Sequence, residues 1–470
     1  MEGFAGEAPA VEIVASGLFI LGDAAIALAA EAPEEFYSPL QNRDTSGRFG
    51  RGGGMGVTPG QSVPTRQPGT GGKNTTGAET TQWSEISAAG KQKMLDRLHH
   101  VGAPGLQGAK TPEAAIEIIE RNILEVHDAV APHNAAGWKQ WYVGANGIAR
   151  DMAVQYSSVS RDGAAAIIAR MSPQKDWDQN VAQAHSTIDA LHNDWKITPD
   201  VAARVAVLKA EAAVRAGTVT NNRSQLNLDP HEHMGLVGKK LSELTTEQAA
   251  FAIRANDPNP ANKAVRVNPD GTYHIAEDTI GRPKSAWQSY ETIQSAVRLF
   301  RDQSSASIST ELGQEHKVRS FFNNISDPHS ARHDVTIDTH AYGVGLGIPV
   351  GTSHPLIGSG KQNITGTGGN VSDGIRGTYT LFAEAYRRAA AERGLEPREM
   401  QSVTWEQWRH AYPKQSRARG AVALTEAAAV KYDAAIASGT APAAARAELE
   451  KARVEAQVFA SKYVTASTGD

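Results

Sequence analysis

The sequence predicts an all-α protein, and three observations carry that expectation. Apolar residues recur at three-and-four spacing through most of the span from Thr111 to Tyr412. Runs that alternate apolar with polar residues are few and short. After Tyr412 the chain turns rich in Ala, Glu, Lys and Arg, the composition of long helices.

Taken from the start, residues 1–37 hold an apolar stretch, Val11 to Ala30, interrupted by Glu12 and Asp23. With no basic segment before it, the stretch reads as a docking or core element; a signal peptide is the alternative, and no membrane span is expected. Residues 38–110 read as a flexible linker dominated by Gly, Thr, Ser and Pro, including Arg51-Gly-Gly-Gly-Met-Gly56. A segment with so little apolar area cannot offset its ordering entropy.

The folded domain is expected over 111–412. Thr111-Pro112 supplies a cap and first turn to a helix whose apolar residues are Ala115, Ile118, Ile119, Ile123, Val126 and Val130. Helical patterns follow over Ala135–Tyr156, Ala164–Ala169, Pro173–Leu191, Pro199–Ala216, Ser285–Phe300, Lys317–Ile325, Thr339–Leu346, Gly377–Arg393 and Thr404–Tyr412. Asn256–Gly281 reads as a long loop with a small hairpin around Asn268-Pro-Asp-Gly271, and Gly351–Gly374 as a second loop. Residues 413–470 read as a tail of two helices broken at Ser438-Gly-Thr-Ala-Pro442.

Composition excludes several functions. The chain of 470 residues has no cysteine, so a disulfide framework, a thiolate zinc site, an iron–sulfur cluster and a cysteine nucleophile are all out, in keeping with a reducing cytoplasm. A net charge of -4 provides no global field toward nucleic acid, so DNA binding requires a local basic surface. His231-Glu-His233 offers two imidazoles without an obvious third ligand and reads as a solvated loop. Gly366-Thr-Gly-Gly-Asn370 lacks the Lys-Ser/Thr ending of a phosphate loop. No cofactor is expected.

Three segments could carry chemistry. In His333-Asp-Val-Thr-Ile-Asp-Thr-His-Ala341 a short extended approach leads to Asp338, placed to cap the helix at Thr339, with His340 in its first turn. An Asp there is a cap or a catalyst, and the pattern alone favours the cap. In Arg170-Met-Ser-Pro-Gln-Lys-Asp-Trp-Asp-Gln-Asn180, Ser172 reads as a cap, Pro173 as the first helical residue, Gln174 as exposed, and Trp177 with Val181 as a buried face. In Leu312–Ile325, His316, Lys317 and Arg319 stand beside Phe321 and Phe322. Basic and aromatic residues interleaved in this way grip phosphates and stack on bases, or simply form a core helix with a solvated face.

Ser172-Pro-Gln with Trp177 and Asn180, Lys317-Val with Phe321 and Asn324-Ile325, Val335-Thr-Ile-Asp-Thr-His-Ala341, and Thr404-Trp-Glu-Gln-Trp408 together resemble an uncharacterised family of phage and actinobacterial proteins. That family distantly resembles the helix-hairpin-helix DNA glycosylases. The resemblance implies a two-lobed helical fold, DNA as partner, and a base-excising or base-modifying activity. It implies Asp338 as the catalytic aspartate, Gln174 as the residue filling the gap left by a flipped base, and Lys317 near the position of a Schiff-base lysine. His316, Arg319 and His340 join Gln174 as expected nucleic-acid contacts. Where the glycosylases carry a Leu-Pro-x-Val-Gly hairpin, this chain has Asn323-Asn-Ile-Ser-Asp-Pro328.

Asn42-Arg-Asp-Thr-Ser-Gly-Arg-Phe-Gly50 reads equally as an ordinary polar linker with one Phe49 buried on contact, or resembles a short motif of tailed-phage head-associated proteins; the resemblance implies phage head or capsid partners through residues 1–50 and a location in the host cytoplasm or the virion. Two alternatives to an enzyme therefore stand: a non-enzymatic virion accessory protein and a catalytically degenerate DNA-binding module.

Overall fold

The computed structural model describes residues 80–173, 177–202, 204–205, 234–256, 265–267, 273–275, 290–313, 316–351, 354, 356–357, 377–413 and 420–465. The N-terminal docking element, the Arg43–Phe49 motif, His231-Glu-His233 and Gly366–Asn370 lie outside them, as does Gln174.

Among the described residues the protein is all-helical apart from one short hairpin, as expected. In chain order the helices are α1 (Ala88–His100), α2 (Pro112–Asp128), α3 (Pro132–Trp138), α4 (Trp141–Gln155), α5 (Arg161–Met171), α6 (Trp177–His192), α7 (Thr246–Ala255), α8 (Tyr290–Arg301), α9 (Ser305–Leu312), α10 (His316–Ser326), α11 (Thr339–Leu346), α12 (Tyr379–Glu392), α13 (Pro397–Ala411), α14 (Ala421–Ala437) and α15 (Pro442–Thr465). The hairpin pairs β1 (Val265–Val267) with β2 (Tyr273–Ile275), antiparallel, with Arg266 opposite His274.

The helices begin where the sequence supplies acceptors for first-turn N–H groups. Ser87, Thr111, Ser160, Thr245 and Ser304 each accept a backbone N–H three residues on, and Pro112 and Pro397 occupy the first turn, where a missing N–H costs nothing.

The apolar residues gather into two cores. One is continuous in sequence, from Trp141 to Ile325, and is built around α5, whose residues from Gly163 to Ala169 are all buried. Only a helix apolar on every side can be enclosed so completely. The other core is assembled from both sides of that stretch: Trp83 to Leu124 on the way out, Val335 to Ala460 on the way back. The chain therefore leaves one lobe through α3, builds the second, and re-enters the first at Asp334–Asp338. Helix α13 spans the junction: Met400 and Trp408 lie in the discontinuous core, while Trp405 packs on the continuous one.

Several expectations need correction. The span 38–110, read as linker, contains the 3-10 turn Trp83–Glu85 and helix α1, with Met94, Leu95 and Leu98 buried. Their three-and-four spacing was hidden by the Gly- and Thr-rich residues before them. Ala135–Tyr156, read as one helix, is the pair α3 and α4. Helices α7 and α9 were not anticipated. Within the span 413–470, read as a tail, α14 and α15 form the hairpin of helices over Ala421–Thr465, and it packs into the fold. Tyr432, Ala445, Leu449, Ala456 and Ala460 are part of the discontinuous core.

The hairpin is fixed by polar groups as well. Arg446 and Arg453, both nearly buried, pair with Glu125 and donate to Asn122 Oδ1 at 3.0 and 2.9 Å; Asn122 Nδ2 in turn donates to Gly345 O at 2.6 Å. Gly347 closes α11 at φ +65°, and a Cβ there would collide with the Arg453 guanidinium. Breaking such a buried arrangement from one side leaves charge uncompensated, so Glu125→Ala should cost about 3–5 kcal/mol. Chemical denaturation of the full chain measures it; a loss under about 1 kcal/mol would show the latch to be incidental.

Candidate functional site

The site is built on the segment that returns the chain to its first lobe. Val335, Thr336 and Ile337 are buried but belong to no helix or sheet, so their backbone groups need other partners. Tyr379 meets two of them: its hydroxyl donates to Val335 O at 2.7 Å and accepts from Ile337 N–H at 3.0 Å. Burial pushes the Tyr379 phenol well above its ordinary pKa, which keeps it a donor. From α10, Asn323 Nδ2 donates to Asp334 Oδ2 at 2.8 Å and Asn324 Nδ2 to Thr336 Oγ1 at 3.2 Å. Thr80 and Arg332 also hold Asp334.

At the end of this segment Asp338 is, as expected, the N-cap of α11. Its Oδ1 accepts from the backbone N–H of His340 and of Ala341, each at 2.9 Å. Its Oδ2 accepts from the Trp405 indole N–H, also at 2.9 Å. Capping requires only the first oxygen. The second reaches across to a side chain whose ring packs on the other lobe, so one carboxylate touches both lobes.

Trp405 opens onto an aromatic cluster. Trp141 lies 5.9 Å from it, Trp177 4.7 Å from Trp141, and Phe321 6.0 Å from Trp141 and 6.2 Å from Trp177, centroid to centroid. Two cations rest on this assembly. Lys317 Nζ sits 5.7 Å from the Phe321 ring and donates to the buried Ser172 hydroxyl at 3.1 Å, and Arg409 Cζ sits 4.4 Å from the Trp405 ring. His340 meets Trp405 edge to face at 5.7 Å. Trp405, Trp177, Lys317, His340, Arg409 and Asp338 are all half-buried, so the cluster has a solvent-facing rim.

The sequence-expected residues thus separate. Asp338, His340 and Lys317 are brought to the two ends of one aromatic assembly, with Ser172 beside Lys317. Gln174 follows Ser172 by two residues but lies outside the described residues. Two expectations do not fit their placement. Arg319 is 4% exposed, and donates from Nε to Gly313 O at 2.6 Å and from Nη2 to Ser309 O at 3.0 Å. It serves the orphan carbonyls at the end of α9, which stops at Gly313 with φ +67°. His316, 2% exposed, stacks on Tyr379 at 4.9 Å across the lobe junction. Both side chains are enclosed by protein. Trp141 and Arg409 were not singled out by the sequence; the one available signal was Arg409 lying one helical turn after Trp405.

Among the described residues no cluster of His, Asp or Glu has the makings of a metal site. No helix there is long and apolar enough to cross a membrane.

Compared with known proteins, residues 107–229 and 273–412 match a family described as a family of unknown function (DUF7178). The match takes in Trp141, Trp177, Lys317, Asp338, Trp405 and Arg409. No curated protein and no solved structure matches the chain.

Two outcomes are expected here. Tyr379→Phe should strand the Val335 carbonyl and Ile337 N–H in the interior and cost about 2–6 kcal/mol by denaturation, at roughly 1–3 kcal/mol per unsatisfied group. Glu406, buried beside Trp405 on α13, has its carboxyl pKa raised by desolvation, with Arg409 and His410 opposing. A raised folded-state pKa favours the protonated form, so its stabilising effect is full at acid pH and is lost as pH rises through the folded value. Glu406→Gln should therefore be more stable than wild type at neutral pH, the difference closing below about pH 4; melting curves across pH that run parallel would contradict this.

Proposed function

The chain belongs to the DUF7178 family, whose function is unknown, and we propose that it engages DNA and acts on a nucleobase, with Asp338 as the working carboxylate. The observation that supports this most is the meeting of four sequence segments, around Ser172, Lys317, Asp338 and Trp405, at one half-open aromatic cluster on the lobe junction. A core needs no lysine, arginine and carboxylate on its rim. A surface that holds a base in a stack, a phosphate beside it and a developing sugar cation next to a carboxylate needs all three.

Asp338 is suited to that task by its fixed orientation. Two backbone N–H groups hold Oδ1 and one indole N–H holds Oδ2. A carboxylate has about four lone-pair directions, so one on Oδ2 is left for a water or a sugar. In a glycosylase-type reaction that oxygen would take a proton from the attacking water, or stand against the cationic sugar as the base departs. Lys317 and Gln174 are proposed as contacts to the same strand.

Full-length protein with duplexes carrying assorted modified bases provides the test. The expected result is salt-dependent binding and base release, with Asp338→Asn lowering release roughly 100-fold or more. Trp405→Phe, which keeps the carboxylate but removes its indole donor, should lower release less. Binding with no release, unaltered in Asp338→Asn, would point to a DNA-binding module without catalysis. Absence of binding at low salt would leave the virion-accessory reading supported by Arg43–Phe49, for which a chain lacking residues 1–60 should lose particle association.

A further inference from the structure

Four contacts surround the Trp405 indole, and they differ in kind. Its N–H is committed to Asp338 Oδ2, while Trp141 and His340 meet the ring at interplanar angles of 72° and 89°. The fourth, Arg409, lies over the ring with its Cζ 4.4 Å from the centroid. Its side chain is 39% exposed, and its ion partner is Glu406 Oε2 on the same helix at a long 3.6 Å. The first three contacts fix the indole; the fourth only covers it.

The energetics favour exchange of that cover. A guanidinium that is itself this open to solvent is weakly held over a ring, because water competes for the cation. A nucleobase stacked on the same ring gains more, since every base has a π-face and little hydration to lose there. The displaced guanidinium is a planar fork suited to phosphate oxygens. The hydrogen bond to Asp338 prevents the ring from turning away, so little ordering entropy opposes binding.

We propose that the Trp405 face beneath Arg409 is the seat of an unpaired nucleobase, and that Arg409 is a displaceable cover which swings from the indole to a phosphodiester of the same strand. This rests on the DNA-engaging reading above and extends it by naming the substrate class: a single-stranded or extruded nucleotide, delivered beside Asp338. A chain with net charge -4 has no long-range attraction for DNA, so a short-range stacking seat with one mobile cation answers the need for local affinity.

The experiment uses the full chain and two strands of equal length, oligodeoxyadenylate and its abasic counterpart, titrated over a range of salt. Wild type should prefer the base-bearing strand by about tenfold, the lower part of the range for one stacked base. Trp405→Leu should abolish that preference. Arg409→Ala should keep the preference but reduce the magnitude of the log-affinity against log-salt slope by about 0.7, the share of one single-strand phosphate contact. Arg409→Lys should restore most of the slope. Thermal melts establish that each variant is folded, and should Trp405→Leu fail to fold, the Arg409 slope decides. If wild type binds both strands and the Arg409 and Trp405 variants leave slope and preference unchanged, the seat is wrong while the DNA reading survives. If wild type binds neither strand at low salt, both fall.

Discussion

A buried segment that belongs to no helix or sheet must have its backbone N–H and C=O groups satisfied one by one, and the segment from Asp334 to Ile337 sets that requirement at the centre of this fold. The Tyr379 hydroxyl from α12 meets two of them, Val335 O and Ile337 N–H, while Asn323 and Asn324 from α10 and Thr80 from the beginning of the described chain hold the segment by its side chains, Asp334 and Thr336. Because α10 belongs to the continuous lobe and α12 to the discontinuous one, holding this one segment also joins the lobes. The segment leads to a carboxylate whose position is then determined at both oxygens.

The junction is reinforced elsewhere by contacts of the same character. Tyr142 on α4 donates to Gln401 on α13 at 2.9 Å, Ser402 Oγ to Trp138 O at 2.8 Å, and His410 stacks on Trp138 at 5.3 Å. These are directional and mostly neutral. Helix α13 therefore has two duties. Its buried face, with Met400 and Trp408, closes the discontinuous core. Trp405 and Arg409, one turn apart, reach the rim.

The C-terminal hairpin bears on the site indirectly. By pairing Arg446 and Arg453 with Glu125 and Asn122, it fixes the end of α11 at Gly345 and Gly347, at the opposite pole of the helix that Asp338 caps. Ordering that helix at both ends leaves its first turn, with His340, little freedom beside Trp405.

What the sequence by itself determined was local. The 3.6 period and the scarcity of alternating runs identified an all-α fold, and the hairpin at 265–275 followed from Asn268-Pro-Asp-Gly271. Asp338 as a cap, and the bounds of Thr339–Leu346, were legible because a cap acts within three residues of itself. The two lobes were available only through a resemblance. Tertiary structure decided the rest. Arg319 and His316 look solvent-facing beside Lys317, yet a helix buried on nearly every side turns both inward, one to the carbonyls ending α9 and the other to Tyr379. The meeting of Trp141, Phe321 and Trp405 involves residues far apart in sequence on three helices. Periodicity states which residues share a face, but which faces meet is fixed only when the cores close, and that closure brings Trp405 to the oxygen of Asp338 that capping does not use.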